Sequence, residues 1–437
     1  MPPSRDTEGM IRARIATLDD LVSIQLNEII HHETFQKLEA SWRGLHYLVC
    51  RTNSSYRLKI RVLNVSKKDL LKDLQRAPEI DYSALFRKVY DEEFGVLGGQ
   101  PYAVLVGDYE FGRDAEDAEM LEKISNVAAA ASAPFIAAAA PSMFGLDSFR
   151  QLDQPRNLDK IFDNAYYARW KGFRQTPDAQ YVGLVLPHVL LRSPYGRSCE
   201  PVESFDYEEK VDGTDSTKYL WGNAAFAFGA AITRAFDSFG WCAAIRGVEG
   251  GGLVDGLPTH SFTTDDGDLA VKCPTELPIS DRREHELARL GFISLVHYRG
   301  TNCAVFFGAP SCHKPRFYVS EEANQNARMV AQLEYTLTLA RFAHYLKAIM
   351  RDKIGKFRSR EECEKYLNQW ISEYVRPDGA KGNDSDAKFP LRSAQIDVLE
   401  LPDRIGVYKA TLFLRPCFQL VEPTVPLRLV TSLGESK

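Results

Sequence analysis

Two apolar runs separated by the length of one helix do most to limit what this chain can fold into. Residues 101–106 (PYAVLV) and 135–140 (FIAAAA) are short, continuous and uncharged, and 114–130 between them carry a helical period. Strands that are apolar throughout are buried on both faces, the condition of a parallel sheet covered by helices. Strand, helix and strand at this spacing predict a βαβ unit. A further run, YVGLVL at 181–186, adds a strand. The Ala/Gly/Phe-rich stretch 222–239 predicts a closely packing helix, followed by a strand over 241–245 and then a glycine cluster. A helix over 281–290 precedes two apolar segments, 292–298 and 303–307, whose connection Arg299-Gly300-Thr301-Asn302 predicts a hairpin. The fold class is mixed α/β.

The flanks have other periods. Leu18, Leu21, Val22, Leu26, Ile29 and Ile30 share one helical face, with Thr17 as a cap before them. Phe35, Leu38, Trp42, Leu45 and Val49 repeat the pattern in a second helix. His31-His32-Glu33 between them reads as a polar junction, because adjacent helical residues point different ways. Residues 57–62 (RLKIRV) alternate and predict a strand with basic residues outward; 67–74 and 82–90 are helical.

Beyond residue 320 one long helix is expected from Glu321 to about Lys353, with Gly355 just past its end. Ser359 and Glu362 form a capping box for the next helix. Its apolar face runs through Cys363, Tyr366, Leu367, Trp370, Ile371, Tyr374 and Val375, up to Pro377. A polar loop over 378–388 leads to strands at 407–414 and 424–433. Pro426 cannot donate to a ladder, so the last strand is expected at an edge or in an arm, where it invites another chain. The expected division is a helical segment 1–52, a central α/β domain 53–318 and a C-terminal part 319–437 of long helices and a β arm.

The 437 residues are 44% hydrophobic and 26% charged, with a net charge of −5. This is a globular profile without the basic surplus of a nucleic-acid coat. The eight cysteines, Cys50, Cys199, Cys242, Cys273, Cys303, Cys312, Cys363 and Cys417, include no C-x-x-C pair. Cys303, Cys312 and His313 lack a fourth metal ligand nearby, and scattered thiols fit a reducing cytosol. The start, MPPSRDTEGMIRAR, has no signal-peptide core, and the alanine-rich stretch 127–144 is broken by Pro134 and Pro141, so no membrane insertion is expected. A cytoplasmic location is expected.

The glycine cluster lies in IRGVEGGGLVDGLP (245–258). It lacks the lysine and Ser/Thr of a phosphate loop, and Asp255 stands where a dinucleotide fingerprint needs its third glycine. His285-Glu286 does not continue to H-E-x-x-H, and no G-x-S-x-G occurs. Gly250, Gly251 and Gly252 therefore read as a bend that lets the backbone approach another segment or subunit, and with Asp255 as a candidate assembly loop. Asp108 and Glu110 follow the 101–106 run, where ligands bind in open α/β sheets, and two carboxylates there could hold Mg²⁺. The alternative function is thus a metal-dependent α/β enzyme. The other reading of these acids is a solvated loop before Asp114, Glu116 and Asp117 open the next helix. Asp265-Asp266-Gly267-Asp268 reads as a turn. No cofactor is expected.

Several stretches together resemble one family. They are EASWRGLHYLV (39–49), GDYEFGRDAEDAEMLEKIS (107–125), LRSPYG (191–196), LWGNAAFAFGAAITRAF (220–236) and IRGVEGGGLVDGLPTH (245–260). RFAHYLKAIMRDKIGKFRS (341–359) and FLRPCFQLVEPTVPLRLV (413–430) complete the set, which runs in order from about residue 15 to the end. The family is the large contractile-sheath subunit of type VI secretion systems, TssC/VipB. The resemblance implies a phage-tail-sheath-like core and a structural, non-enzymatic role. It implies a small TssB/VipA-like partner, helical self-polymerisation around an Hcp-like inner tube, and attachment to a baseplate, with contraction driving effector delivery. A head-to-tail contact that does not close generates such a filament.

The resemblance also implies an inter-subunit strand arm carrying Thr411, Phe413, Phe418, Leu420, Val425, Leu427 and Leu429. Candidate inner-tube contacts are Arg351, Lys353, Lys356, Arg358, Glu361 and Glu362. Family members usually have some tens of residues before the helix near Thr17, including a helix recognised by an AAA+ ATPase that recycles contracted sheaths. The chain is expected either to rely less on that ATPase or to have a clipped or misassigned start. Cys417 stands where the family pattern has histidine.

Overall fold

The computed structural model describes residues 5–54, 57–94, 96, 98–154, 157–196, 207–263, 267–353, 359–377, 382–400, 408–417 and 427–433. Two N-terminal helices, α1 (Arg5–Ile30) and α2 (Glu33–Cys50), precede α3 (Lys67–Arg76). Then β1 (Leu105–Phe111), α4 (Ala115–Ala131) and β2 (Phe135–Ala139) form the expected βαβ unit. After α5 (Ala168–Gln175) come β3 (Val182–Leu186), β4 (Val189–Arg192), β5 (Leu220–Gly222) and α6 (Ala225–Phe239). The central part closes with β6 (Leu253–Val254), β7 (Ser261–Thr263), β8 (Leu269–Val271), α7 (Asp281–Arg289), β9 (Phe292–His297) and β10 (Ala304–Phe306).

Strands β1-β2-β3-β9-β10-β6 make one sheet; β1, β2, β3 and β9 run parallel, and β10 turns back antiparallel to β9 as the hairpin spacing predicts. All five residues of β2 and of β3 are buried. Alternation divides them: Phe135, Ala137, Leu184 and Leu186 enter one core with Leu121, Ile124, Trp170 and Phe292. Ile136, Val185 and Ile293 enter the other with Phe228, Ile232, Leu333 and Leu337. This period of two in a doubly covered sheet is why the sequence shows unbroken apolar runs. The close packing of α6 is made possible by a glycine on its neighbour. Phe226 of α6 lies against Gly44 of α2, where an added Cβ would collide with the ring.

The C-terminal part contains α8 (Glu321–Val330), α9 (Leu333–Asp352), α10 (Arg360–Ser372), α11 (Asn383–Lys388) and the strands β11 (Leu391–Glu400), β12 (Tyr408–Pro416) and β13 (Leu427–Leu433). The three strands form an antiparallel sheet in that order. Its inner face packs Ile396, Val398, Leu412 and Leu414 on Phe342, Leu346, Leu367 and Ile371. Asn368 holds sheet and helix together, donating to the Ile396 carbonyl (2.7 Å) and accepting from its amide (2.9 Å). The Ser359 hydroxyl caps α10 by accepting from the Glu362 amide at 3.2 Å, as the capping box predicts.

Several expectations are corrected. Residues 57–62 pair with no strand among the described residues and are not a strand, because alternation makes a strand only where a neighbour completes the ladder. Thr17 is inside α1, not at its cap; its hydroxyl bonds back to Ala13 O at 2.9 Å. Residues 241–245 form no strand, since Trp241 turns away to stack on Phe342 with ring centroids 4.4 Å apart.

The long C-terminal helix is two helices. Gln332 is extended (φ −102°, ψ 131°) because segment 309–311 captures the backbone there. Ala331 O accepts from the Ser311 amide at 2.7 Å and from its hydroxyl at 3.0 Å, and the Leu333 amide donates to Ala309 O at 2.8 Å. The polar loop at 378–388 contains α11. Strand β1 begins at Leu105 and continues through Asp108 and Glu110, because Glu110 and Phe111 still pair with Ala138 and Ala139.

Candidate assembly surfaces

The glycine loop folds onto its own chain. The Gly247 amide donates to Phe306 O (2.7 Å), the Phe306 amide returns a bond to Gly252 O (3.0 Å), and Gly252 N donates to Gly247 O (2.9 Å). Gly251 has φ +88°, and a Cβ on Gly252 would meet Phe306 O, Arg246 Cα and Gly247 N. The amides of Gly247 and Gly252 are thus occupied by carbonyls rather than offered to an anion. Three arginines fasten the loop: Arg234 of α6 donates to Gly251 O (3.0 Å), Arg51 pairs with Asp255 (3.1 Å), and Arg246 pairs with Glu334 (2.8 Å). Glu334, in the first turn of α9, is buried; burial raises its carboxyl to about 7, with Arg246 opposing.

Asp108 and Glu110 are engaged separately. Asp108 accepts a short hydrogen bond from Ser41 of α2, and burial raises its carboxyl. Glu110 contacts His188 Nε2 at 2.9 Å, while His188 Nδ1 contacts Glu276 at 2.6 Å. Burial opposes a charge on His188, but the two glutamates outweigh it and push the imidazole up to about 10. Among the described residues no group of three His, Cys, Asp or Glu side chains could hold a metal ion.

A second buried network escaped the sequence reading. Arg192, 2% exposed at its side chain, donates through Nη1 (2.5 Å) and Nη2 (3.1 Å) to Glu209 and through Nε to Glu39 of α2 (3.0 Å). Arg43 also donates to Glu39 (2.7 Å), and His31 Nε2 lies 3.0 Å from Glu209. It moors the α1–α2 junction to the central domain. An arginine in the apolar stretch VLLR was the available signal, since a buried guanidinium needs carboxylates.

The outer faces of α1 and α2 are apolar and uncovered. Leu18 (52% exposed), Leu21 (59%), Leu38 (57%) and Trp42 (66%) stand out among Met10, Ile11, Ile15, Val22 and Ile24. Periodicity placed Leu18, Leu21, Leu38 and Trp42 on helical faces; the structure shows that those faces are not this chain's core.

Arg351 donates to Phe94 O (3.1 Å) and Val96 O (2.9 Å), and Lys353 sits 4.9 Å from the Tyr366 ring centroid. Glu361 pairs with Arg360 (3.3 Å), and Glu362 lies in the first turn of α10. Lys356 and Arg358 lie outside the described residues, as do Phe418, Leu420 and Val425. Thr411 and Phe413 are in β12, opposite Val430 and Arg428 of β13; Leu427 and Leu429 pair with Leu414 and Leu412. β13 thus occupies an edge of its sheet, paired to its own chain.

The family comparison gives the class of protein to which this doubly covered α/β domain and helix-backed antiparallel sheet belong. Residues 12–313 match the VipB model, described as EvpB/VC_A0108, tail sheath N-terminal domain, and 322–433 match its companion, the tail sheath gpW/gp25-like domain. The chain belongs to this tail sheath family, the large sheath subunits of type VI secretion. It is 47% identical over 437 residues to the type VI secretion system sheath protein TssC1 of Pseudomonas aeruginosa, a match covering 99% of this chain and 88% of that protein. Among the described residues no helix is long and apolar enough to cross a membrane.

Proposed function

We propose that this chain pairs with a small sheath subunit and polymerises helically around an inner tube, contraction of the polymer driving effector delivery. The observation that carries the reading is the bare apolar face of α1 and α2. Large apolar side chains left exposed along two helices are the mark of a site another protein covers. Family membership supplies the partner, the small subunit. The Arg192 network ties α2 and the α1–α2 junction to the central part, so a partner gripping α2 is linked to that part as well. Further partners of the reading are an Hcp-like tube protein and a baseplate; an AAA+ disassembly ATPase belongs to it only if the chain has the family's N-terminal recognition helix. Arg351, Lys353, Lys356, Arg358, Glu361 and Glu362 are proposed toward the tube, and the β12–β13 edge toward a neighbouring subunit.

The test is co-expression with the small sheath subunit. Leu18→Glu with Leu21→Glu is expected to abolish co-purification and tubules in negative-stain micrographs, with thermal unfolding of the chain alone unchanged. Tubules formed by the double variant as by the parent would overturn the reading.

A further inference from the structure

We propose that Cys50 is a modification site, a thiol that exchanges with small anionic disulfides with His46 as its proton acceptor. His46 and Cys50 are four residues apart on α2 and so share one helical face. Cys50 Sγ lies 3.4 Å from His46 Nε2 and 3.9 Å from Nδ1. Both side chains are exposed, whereas Cys242, Cys312 and Cys363 are buried and Cys273, Cys303 and Cys417 are half-buried. The pair opens on a cleft of about 220 Å³ walled by Arg43, Tyr47, Arg51, Leu190 and Gly256. An exposed thiol beside a base and cationic groups is the setting in which cysteines react. Arg43 and Arg51 share their charge with Glu39 and Asp255, yet each keeps further donors for a carboxylate.

The step balances without any other reactant. His46 Nε2 takes the thiol proton and the Cys50 thiolate attacks one sulfur of the disulfide. The old S–S bond breaks as the new one forms, and the departing thiolate recovers the proton from His46. Cys50 is oxidised, and the disulfide is the oxidant. Glutathione disulfide, with four carboxylates, is a probe of the required class.

The full chain is incubated with glutathione disulfide, and in parallel with cationic cystamine, and the modified peptides are followed over time by mass spectrometry. Cys50 is expected to react about tenfold faster than Cys303 and Cys417. His46→Gln should slow Cys50 severalfold while leaving Cys303 unchanged, which also reports that the fold persists; His46→Asn serves if Gln disturbs the helix. Replacing Arg43 and Arg51 by alanine should reduce the preference for glutathione disulfide over cystamine. Reaction at Cys50 no faster than at Cys303 and Cys417, a rate indifferent to His46, or no preference for the anionic probe would each overturn the proposal. The inference does not depend on the sheath reading.

Discussion

His188 is a cation the fold has made nearly permanent. Its folded value, about 10, is above the 6.5 of a free imidazole. The native state therefore holds a proton that the unfolded chain releases, so its contribution is complete below pH 6.5 and is lost as pH rises through 10. Replacing it leaves Glu276 and Glu110 without their cation; Glu276 is buried but Glu110 is half-exposed, which moderates the loss. We expect His188→Gln to cost about 3 kcal/mol at pH 7 in urea unfolding, and much less at pH 10. An unchanged difference across that range would show that the charge is not what His188 contributes. Glu334 works in the same sense on the acid side. Its carboxyl is raised to about 7, so its contribution fades as pH rises from about 4.5 through 7. Glu334→Gln should flatten that part of the stability profile.

At the scale of elements, the glycine loop offers a contrast. Gly251 holds φ +88° and Gly252 abuts the backbone of β10, so alanine at either position should cost about 2 kcal/mol or more. Gly172, inside α5 with open space where a Cβ would go, should gain about 0.5–1 kcal/mol on the same change. Chemical denaturation of the three variants decides it. Elements whose period is set by burial on this chain were legible: β2, β3, α4, α6, the β9–β10 hairpin and the capped α10. What escaped depends on partners remote in sequence. The break at Gln332 is made by Ala309 and Ser311, and the extended 57–62 segment lacks a neighbour. β11 passed unread because its alternation is carried by only a few apolar residues. Of the site, the loop glycines announced a bend, but neither the moorings by Arg51, Arg234 and Arg246 nor the bareness of α1 could be read from spacing.

Across the whole molecule, Trp241 joins the parts from the central side, complementing Leu333 and Leu337 of α9 in the central core and the Arg246–Glu334 pair. Trp241 is the member of the C-terminal buried cluster that comes from the central domain; the rest lie at Phe342 and beyond. It stacks on Phe342 and meets Tyr374 edge-on with centroids 5.2 Å apart. Trp241→Ala should cost about 3–5 kcal/mol and uncouple the two parts, splitting one calorimetric unfolding transition into two. A single transition merely shifted down would mean that the α9 contacts suffice.

The three arginine ties of the glycine loop have a mechanical consequence. α2 is hooked to it at Asp255, α6 at Gly251, α9 at Arg246, and β10 is laced to Gly247 and Gly252. Four load paths therefore meet in about ten residues, four of which are glycines with no side chain to yield. A displacement of α9 reaches the edge of the central sheet through short, directional bonds with little slack between.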